Sequence, residues 1–187
     1  MSLISISLLN EIFRSKELLQ PGEILDELRR NIIQALNPDS SEDGRKDGMD
    51  VSIISIFKNT NADEITINFA GANNALHLVT AHDQSNVMME IKGDNQPVGY
   101  FTDMKPFTNH EIMAHRGDII YLYTDGYADQ FGGIKGKKFM TKQLKQMLQS
   151  ICHMPMQEQK NHIHDRYKEW QGDLEQVDDI TVIGIKL

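Results

Sequence analysis

Two places in the sequence set carboxylates where chemistry could use them. Asp125 ends YLYTDG, so an apolar run delivers the acid and Gly126 lets the backbone turn sharply behind it. Asp178 and Asp179, in VDDITVIGIKL, stand at the entry to a second apolar run. If those runs are neighbouring strands of one sheet, the acids meet despite their separation along the chain. Carboxylates grouped without His or Cys suit hard, oxygen-seeking cations such as Mg²⁺ or Mn²⁺. Two such ions about 3.5–4 Å apart can activate a bridging water and stabilise both ends of an in-line phosphoryl displacement. The same residues also read more simply, with Asp125-Gly126 as a turn and Asp178-Asp179 as a solvated strand cap. Spacing alone leaves both readings open.

Other candidates carry less. GGIKGKK has glycines and lysines but fails the phosphate-loop pattern: three residues separate Gly132 from Gly136, and Lys138 stands where Ser or Thr is needed. It reads as a turn, with Lys135, Lys137 and Lys138 open to an acidic partner or a phosphate. His162 and His164, two apart on a predicted helix, diverge onto different faces, unlike the i, i+4 pairs of zinc helices. His77 in a strand and His115 in a turn have no partner that spacing alone makes visible. Among the methionines, Met88, Met89 and Met147 fit core filling better than an adaptable binding surface.

The elements that must position the acids follow from periodicity. Leu3, Ile6, Leu9 and Ile12 recur every third residue and predict a helix, although Ile4 and Ile6 alternating with Ser5 and Ser7 would also suit a strand. Pro21 at a first helical position, Glu23 after it, and Ile24, Leu28, Ile32 and Leu36 on one stripe predict a second helix, which Asn37-Pro38 ends. NPDSSEDGRKDG reads as a loop. MDVSIISIF and ITINF predict paired strands across Asn59–Asp63, and LHLVT and VMMEIKG two more across Ala81–Asn86. IIYLYT is a further strand that ends at Asp125-Gly126. Beyond Gly133 the chain turns helical, with Phe139, Leu144, Met147 and Ile151 on one side. PMQEQKNHIHDRYKEW follows as a helix from Pro155, its Tyr167 and Trp170 expected against the sheet. Residues 180–187 suit a buried closing strand. Helices, then strands, then helices, then a strand give an α+β class rather than a βαβ repeat.

Composition narrows the function classes. The chain has 187 residues, about one domain's worth, with 40% hydrophobic and 25% charged residues. Its net charge of −8 argues against holding nucleic acid by a broad electrostatic footprint. No stretch approaches the roughly 18 apolar residues of a membrane span. The single cysteine, Cys152, cannot form an internal disulfide and no secretory signal precedes the fold, so the cytoplasm is the simplest compartment.

These motifs together carry a resemblance. GDIIYLYTDGYADQFGG followed by VDDITVIGIKL resembles the SpoIIE/RsbU-type bacterial serine phosphatases of the metal-dependent protein phosphatase (PPM) superfamily. FAGANNALHLV resembles that family's AGH strand-turn, with Ala72-Asn73-Asn74 in place of its His-Pro-rich stretch. DGMDVSIISI resembles the strand before it, and QPVGY the family's Pro-Leu-Gly turn. The pieces lie in family order and cover most of the chain. The resemblance implies a layered α/β-β/α sandwich forming a single phosphatase domain over 1–187. It also implies hydrolysis of phosphoserine or phosphothreonine on a protein, with Mn²⁺ or Mg²⁺ as cofactor, two ions in the complete domain. By motif position Asp125 and Asp178 correspond to metal ligands, with Asp179 a further candidate and Asp129 an accessory or water-mediated contact. No side-chain nucleophile is implied, because metal-bound water attacks phosphorus.

One departure matters. The family's first signature, an Asp followed by G-H-G, is absent, and SLISISLLNEIF resembles the helix that follows it. The expectation is an N-terminally truncated domain, the C-terminal portion of a longer protein, weakly active or inactive alone. A homodimer through an exposed sheet edge is also expected. The family's usual substrate is a phosphorylated anti-sigma-factor antagonist of the STAS type, whose dephosphorylation regulates a sigma factor. The alternative is a non-catalytic module that keeps the fold and binds a partner protein.

Overall fold

The computed structural model describes residues 2–15, 20–36, 48–58, 63–80 and 86–187. In chain order these form α1 (Ser2–Ser15), α2 (Pro21–Leu36), β1 (Gly48–Met49), β2 (Val51–Lys58), β3 (Glu64–Ala72), β4 (Leu76–Val79), β5 (Met88–Ile91) and β6 (Val98–Gly99). There follow β7 (His110–His115), β8 (Ile119–Tyr123), α3 (Gly126–Asp129), β9 (Phe131–Gly132), β10 (Lys137–Lys138), α4 (Thr141–Ile151), α5 (Met156–Gln171) and β11 (Val182–Lys186). The loop expected over 37–48 and the turns at 59–63 and 81–86 lie mostly outside the described residues. The remainder divides into two compact units, 1–76 with 91–113, and 77–90 with 114–187.

In the first unit α2 forms where its stripe predicts. Pro21 occupies the first helical position, and the Gln20 backbone N–H donates to Glu23 Oε2 at 2.8 Å, half of a capping box. Ile24, Leu25, Leu28 and Ile32 are buried and join Ile12, Ala70, Val98 and Phe107 in one core. The first helix turns a different face inward than its three-residue repeat suggests. Ser5 and Ile12 are buried, Leu8 and Leu9 pack at the core's margin, and Leu3 and Ile6 are exposed. The sheet of this unit runs β2-β3-β7, with β2 and β3 antiparallel from Val51 opposite Ala72 to Lys58 opposite Ile65. Beside it β1 pairs with β6.

In the second unit the sheet runs β11-β8-β4-β5. Its β8 pairs antiparallel with β4 on one side and with β11 on the other, from Val182 opposite Tyr123 to Lys186 opposite Ile119. The odd-numbered residues Ile119, Tyr121 and Val79 enter a core with Tyr127, Phe139, Leu144 and Leu148. Tyr127 meets Phe139 edge-on at 5.1 Å, and Phe139 meets Trp170 likewise at 5.3 Å.

The α+β class read from the sequence holds, and several details differ from it. The closing strand is not buried: β11 is the last strand of its sheet, and Ile183 and Gly184 are exposed. Its continuous apolar run misled because an edge strand buries only one margin. Trp170 packs against the core that Val79, Ile119 and Tyr121 of the sheet enter, meeting Phe139 there. GGIKGKK is a hairpin turn, with β9 and β10 paired antiparallel and Gly133 and Gly136 at positive φ. His162 and His164 are both exposed.

Candidate functional site

The site begins where β8 runs out. Beyond Tyr123 opposite Val182 the pairing continues through one backbone bond and one side-chain bond: the Thr124 N–H donates to the Thr181 carbonyl at 3.0 Å, and the Thr181 N–H to Thr124 Oγ1 at 3.0 Å. The Thr124 hydroxyl then donates to the Asp179 carbonyl at 3.2 Å. Two residues further, Gly126 lies so close to Asp179 that a Cβ there would sit 2.4 Å from the Asp179 carbonyl oxygen. The glycine of T-D-G is therefore required by the approach of the D-D-I-T backbone, beyond any need of the turn. These contacts bring the segments bearing Asp125 and Asp178-Asp179 side by side.

The four candidate acids sit differently within this junction. Asp125 precedes α3, is exposed, and makes no capping hydrogen bond, so the helix start does not consume its carboxylate. Asp178 is exposed, and its Oδ1 accepts the Asp179 N–H at 2.7 Å while its carbonyl accepts from Gln176 Nε2 at 2.8 Å. Asp179 is exposed and tied to Thr124 through its backbone. Asp129, half-buried at the end of α3, pairs with Lys138 Nζ at 2.9 Å. In donor type Asp125, Asp178 and Asp179 fit a hard cation, since they offer oxygen alone. In number they fall short: among the described residues no three His, Cys, Asp or Glu side chains gather closely enough to hold one.

Near the end of the same strand lies a polar cluster that spacing did not reveal. His77 on β4 is only 2% exposed and stacks on Tyr123 at 4.8 Å. Its Nε2 lies 3.1 Å from the Tyr123 hydroxyl and 3.6 Å from Glu90 Oε1, and Glu90 is held by Lys145 at 2.8 Å. His77 Nδ1 is buried without a hydrogen-bond partner. Burial foremost, then the Lys145 charge, push the His77 pKa down to about 4, against the pull of Glu90. An unfolded chain takes up this proton below its ordinary value of 6.5 while the folded one refuses it. Stability should thus fall as pH drops from about 6.5 to about 4, by at most about 3 kcal/mol. Urea midpoints compared near pH 7.5 and about pH 5 should drop further for the wild type than for His77→Phe. Equal drops would show that His77 does not resist the proton.

The comparisons with known proteins converge on one group. The family model for Stage II sporulation protein E (SpoIIE) matches residues 1–187. No curated protein matches this sequence. Among solved structures, the SiaA-PP2C domain of Pseudomonas aeruginosa superposes with a TM-score of 0.80 at 23% identity, over 100% of this chain and 68% of that one. The RsbU and RsbW domains of a Mycobacterium tuberculosis protein give 0.61 at 17% identity, over 97% of this chain and 45% of that one. The catalytic domain of the serine/threonine phosphatase PstP, in complex with two manganese ions, gives 0.55 at 13% identity, over 98% of this chain and 78% of that one. The chain spans about two thirds of the first and less than half of the second. These likenesses identify the fold as that of PP2C-type phosphatase domains. With the family model matching end to end, the chain belongs to the SpoIIE family of metal-dependent protein serine/threonine phosphatases.

Proposed function

We propose that this chain is a single phosphatase domain that hydrolyses phosphoserine or phosphothreonine on a STAS-type anti-sigma-factor antagonist, and so regulates a sigma factor in the cytoplasm. The observation that supports the reading is the junction of Thr124 and Gly126 with the Asp179 backbone, where the segments bearing Asp125 and Asp178-Asp179 run side by side. Asp125 and Asp178 are the proposed metal ligands, Asp179 a further one, and Asp129 an accessory contact. A divalent ion bound there, Mn²⁺ or Mg²⁺, would supply an activated water and charge stabilisation for phosphoryl transfer. Of the chain's own groups, Thr124 orients the Asp179 backbone and Lys138 holds Asp129. The substrate class is carried by the resemblance of the T-D-G and D-D-I-T segments to the RsbU-type phosphatases. The exposed outer margin of β11, against which no described strand pairs, supports self-association through that edge. No described helix is long and apolar enough to cross a membrane.

The test is hydrolysis. Because the described acids do not reach three in one place, the chain alone should turn over p-nitrophenyl phosphate with Mn²⁺ slowly, and EDTA should remove what activity there is. A phosphorylated STAS protein should lose its phosphate only when Mn²⁺ is present. Turnover indifferent to EDTA would overturn the metal-dependent reading. Capture of the STAS protein with its phosphate left intact would favour a non-catalytic binding module.

A further inference from the structure

Gln130 follows Asp129 directly and is fully buried, at 0% exposure. Glutamine is mostly a surface residue, and a buried amide is tolerated only when its donors and acceptors are paired. Here every position is filled. Nε2 donates to the Phe131 carbonyl at 3.0 Å and to the Glu175 carbonyl at 2.9 Å. Oε1 accepts the Tyr167 hydroxyl at 2.9 Å and the Val177 N–H at 3.1 Å. Two of the four bonds therefore go to the backbone of the segment that enters Asp178-Asp179.

That segment has little else to hold it. Residues 172–179 are all exposed, and its apolar side chains, Leu174 and Val177, are 47% and 55% exposed. No apolar anchor fixes it to the core, so its placement depends on hydrogen bonds: Gln130 at Glu175 and Val177, then Thr124 at Asp179. Gln130 is itself fixed. Its carbonyl accepts the Phe139 N–H and Trp170 Nε1, each at 3.0 Å, and its side chain rests on Tyr167. It stands at the C-terminal end of the short helix that Asp125 opens.

We infer that Gln130 is a positioning residue: its amide clasps the chain entering Asp178-Asp179 to the helix that Asp125 opens, and so sets the spacing of the acids. The inference rests on the proposed ligand role of Asp178, and its test separates the two. Gln130→Met keeps the length and burial of the side chain and removes all four bonds. Hydrogen exchange at 175–181 should quicken at least about tenfold while amides of α4 keep their protection. Mn²⁺ affinity, read by electron paramagnetic resonance of the free ion, should fall about 10–100-fold, the range seen when an outer-sphere support of a metal ligand is lost.

Tyr167→Phe removes one bond to Gln130 without touching the segment, and should leave both loop exchange and Mn²⁺ affinity as in the wild type. Gln130→Glu keeps the acceptor for Val177 and sets a carboxylate oxygen against the Glu175 carbonyl, so it should loosen the same segment. It serves if Gln130→Met does not fold. Unchanged exchange at 175–181 in a folded Gln130 variant overturns the role of Gln130 and leaves the ligand reading standing. A loosened segment with undiminished Mn²⁺ affinity overturns the ligand role of Asp178, and the positioning role falls with it.

Discussion

Asp125→Asn should abolish Mn²⁺ binding while the protein stays folded. The side chain is exposed and makes no capping bond, so replacing it by its neutral isostere removes no packing and no structural hydrogen bond. Surface changes of that kind stay within about 0.5 kcal/mol of neutral. The metal loses a charged oxygen donor, and a hard cation depends on that charge for its affinity. Losing an outer-sphere partner of a ligand typically costs about 10–100-fold in affinity, so losing the ligand itself should exceed about 100-fold. Mn²⁺ titration followed by electron paramagnetic resonance, with a thermal melt of the metal-free protein beside it, reads both halves. Wild-type affinity in the variant would return Asp125 to the simple turn residue that its Asp-Gly pair also allows.

Gly126→Ala should damage stability and the site together, against the usual sign of such a change. Alanine in a helix is intrinsically favoured over glycine by about 1 kcal/mol. The added methyl, however, would sit 2.4 Å from the Asp179 carbonyl oxygen and 3.0 Å from its carbon. Those are backbone atoms and cannot rotate aside, so the D-D-I-T segment or α3 must shift. Overpacking of this kind costs about 1–3 kcal/mol. The Thr124–Asp179 hydrogen bond lies at the same junction, so Mn²⁺ affinity should weaken as the urea midpoint falls. A variant as stable as the wild type, with its affinity intact, would mean that the two segments do not press on each other in solution.

Much of this was legible because it rests on short-range patterns. The stripe of α2 was plain from Ile24, Leu28 and Ile32, and β8 announced itself by ending in Thr124-Asp125-Gly126. The two acid motifs were visible, and so was the condition for their meeting, which the antiparallel pairing of β8 with β11 satisfies for their backbones. What stayed hidden depends on partners distant in sequence. Gln130 is an ordinary polar residue until Tyr167, Glu175 and Val177 close around it, and no spacing marks it. Gln159 is similar: at 1% exposure it accepts the Tyr121 hydroxyl at 2.5 Å and donates to the Met154 carbonyl at 2.8 Å. His77 reads as one polar position in an apolar strand until Tyr123 and Glu90 arrive from neighbouring strands. The exposure of β11 escaped because an apolar run records strand propensity and says nothing of how many neighbours the strand will have.

The convergence of the two acidic segments on one cation can be read directly from the paramagnetic broadening of backbone amide signals by substoichiometric Mn²⁺. Gly126 and Asp179 should broaden together, at the same Mn²⁺ concentration, while amides of α4 stay sharp. Broadening confined to one of the two segments, or centred elsewhere in the chain, would contradict a shared ion.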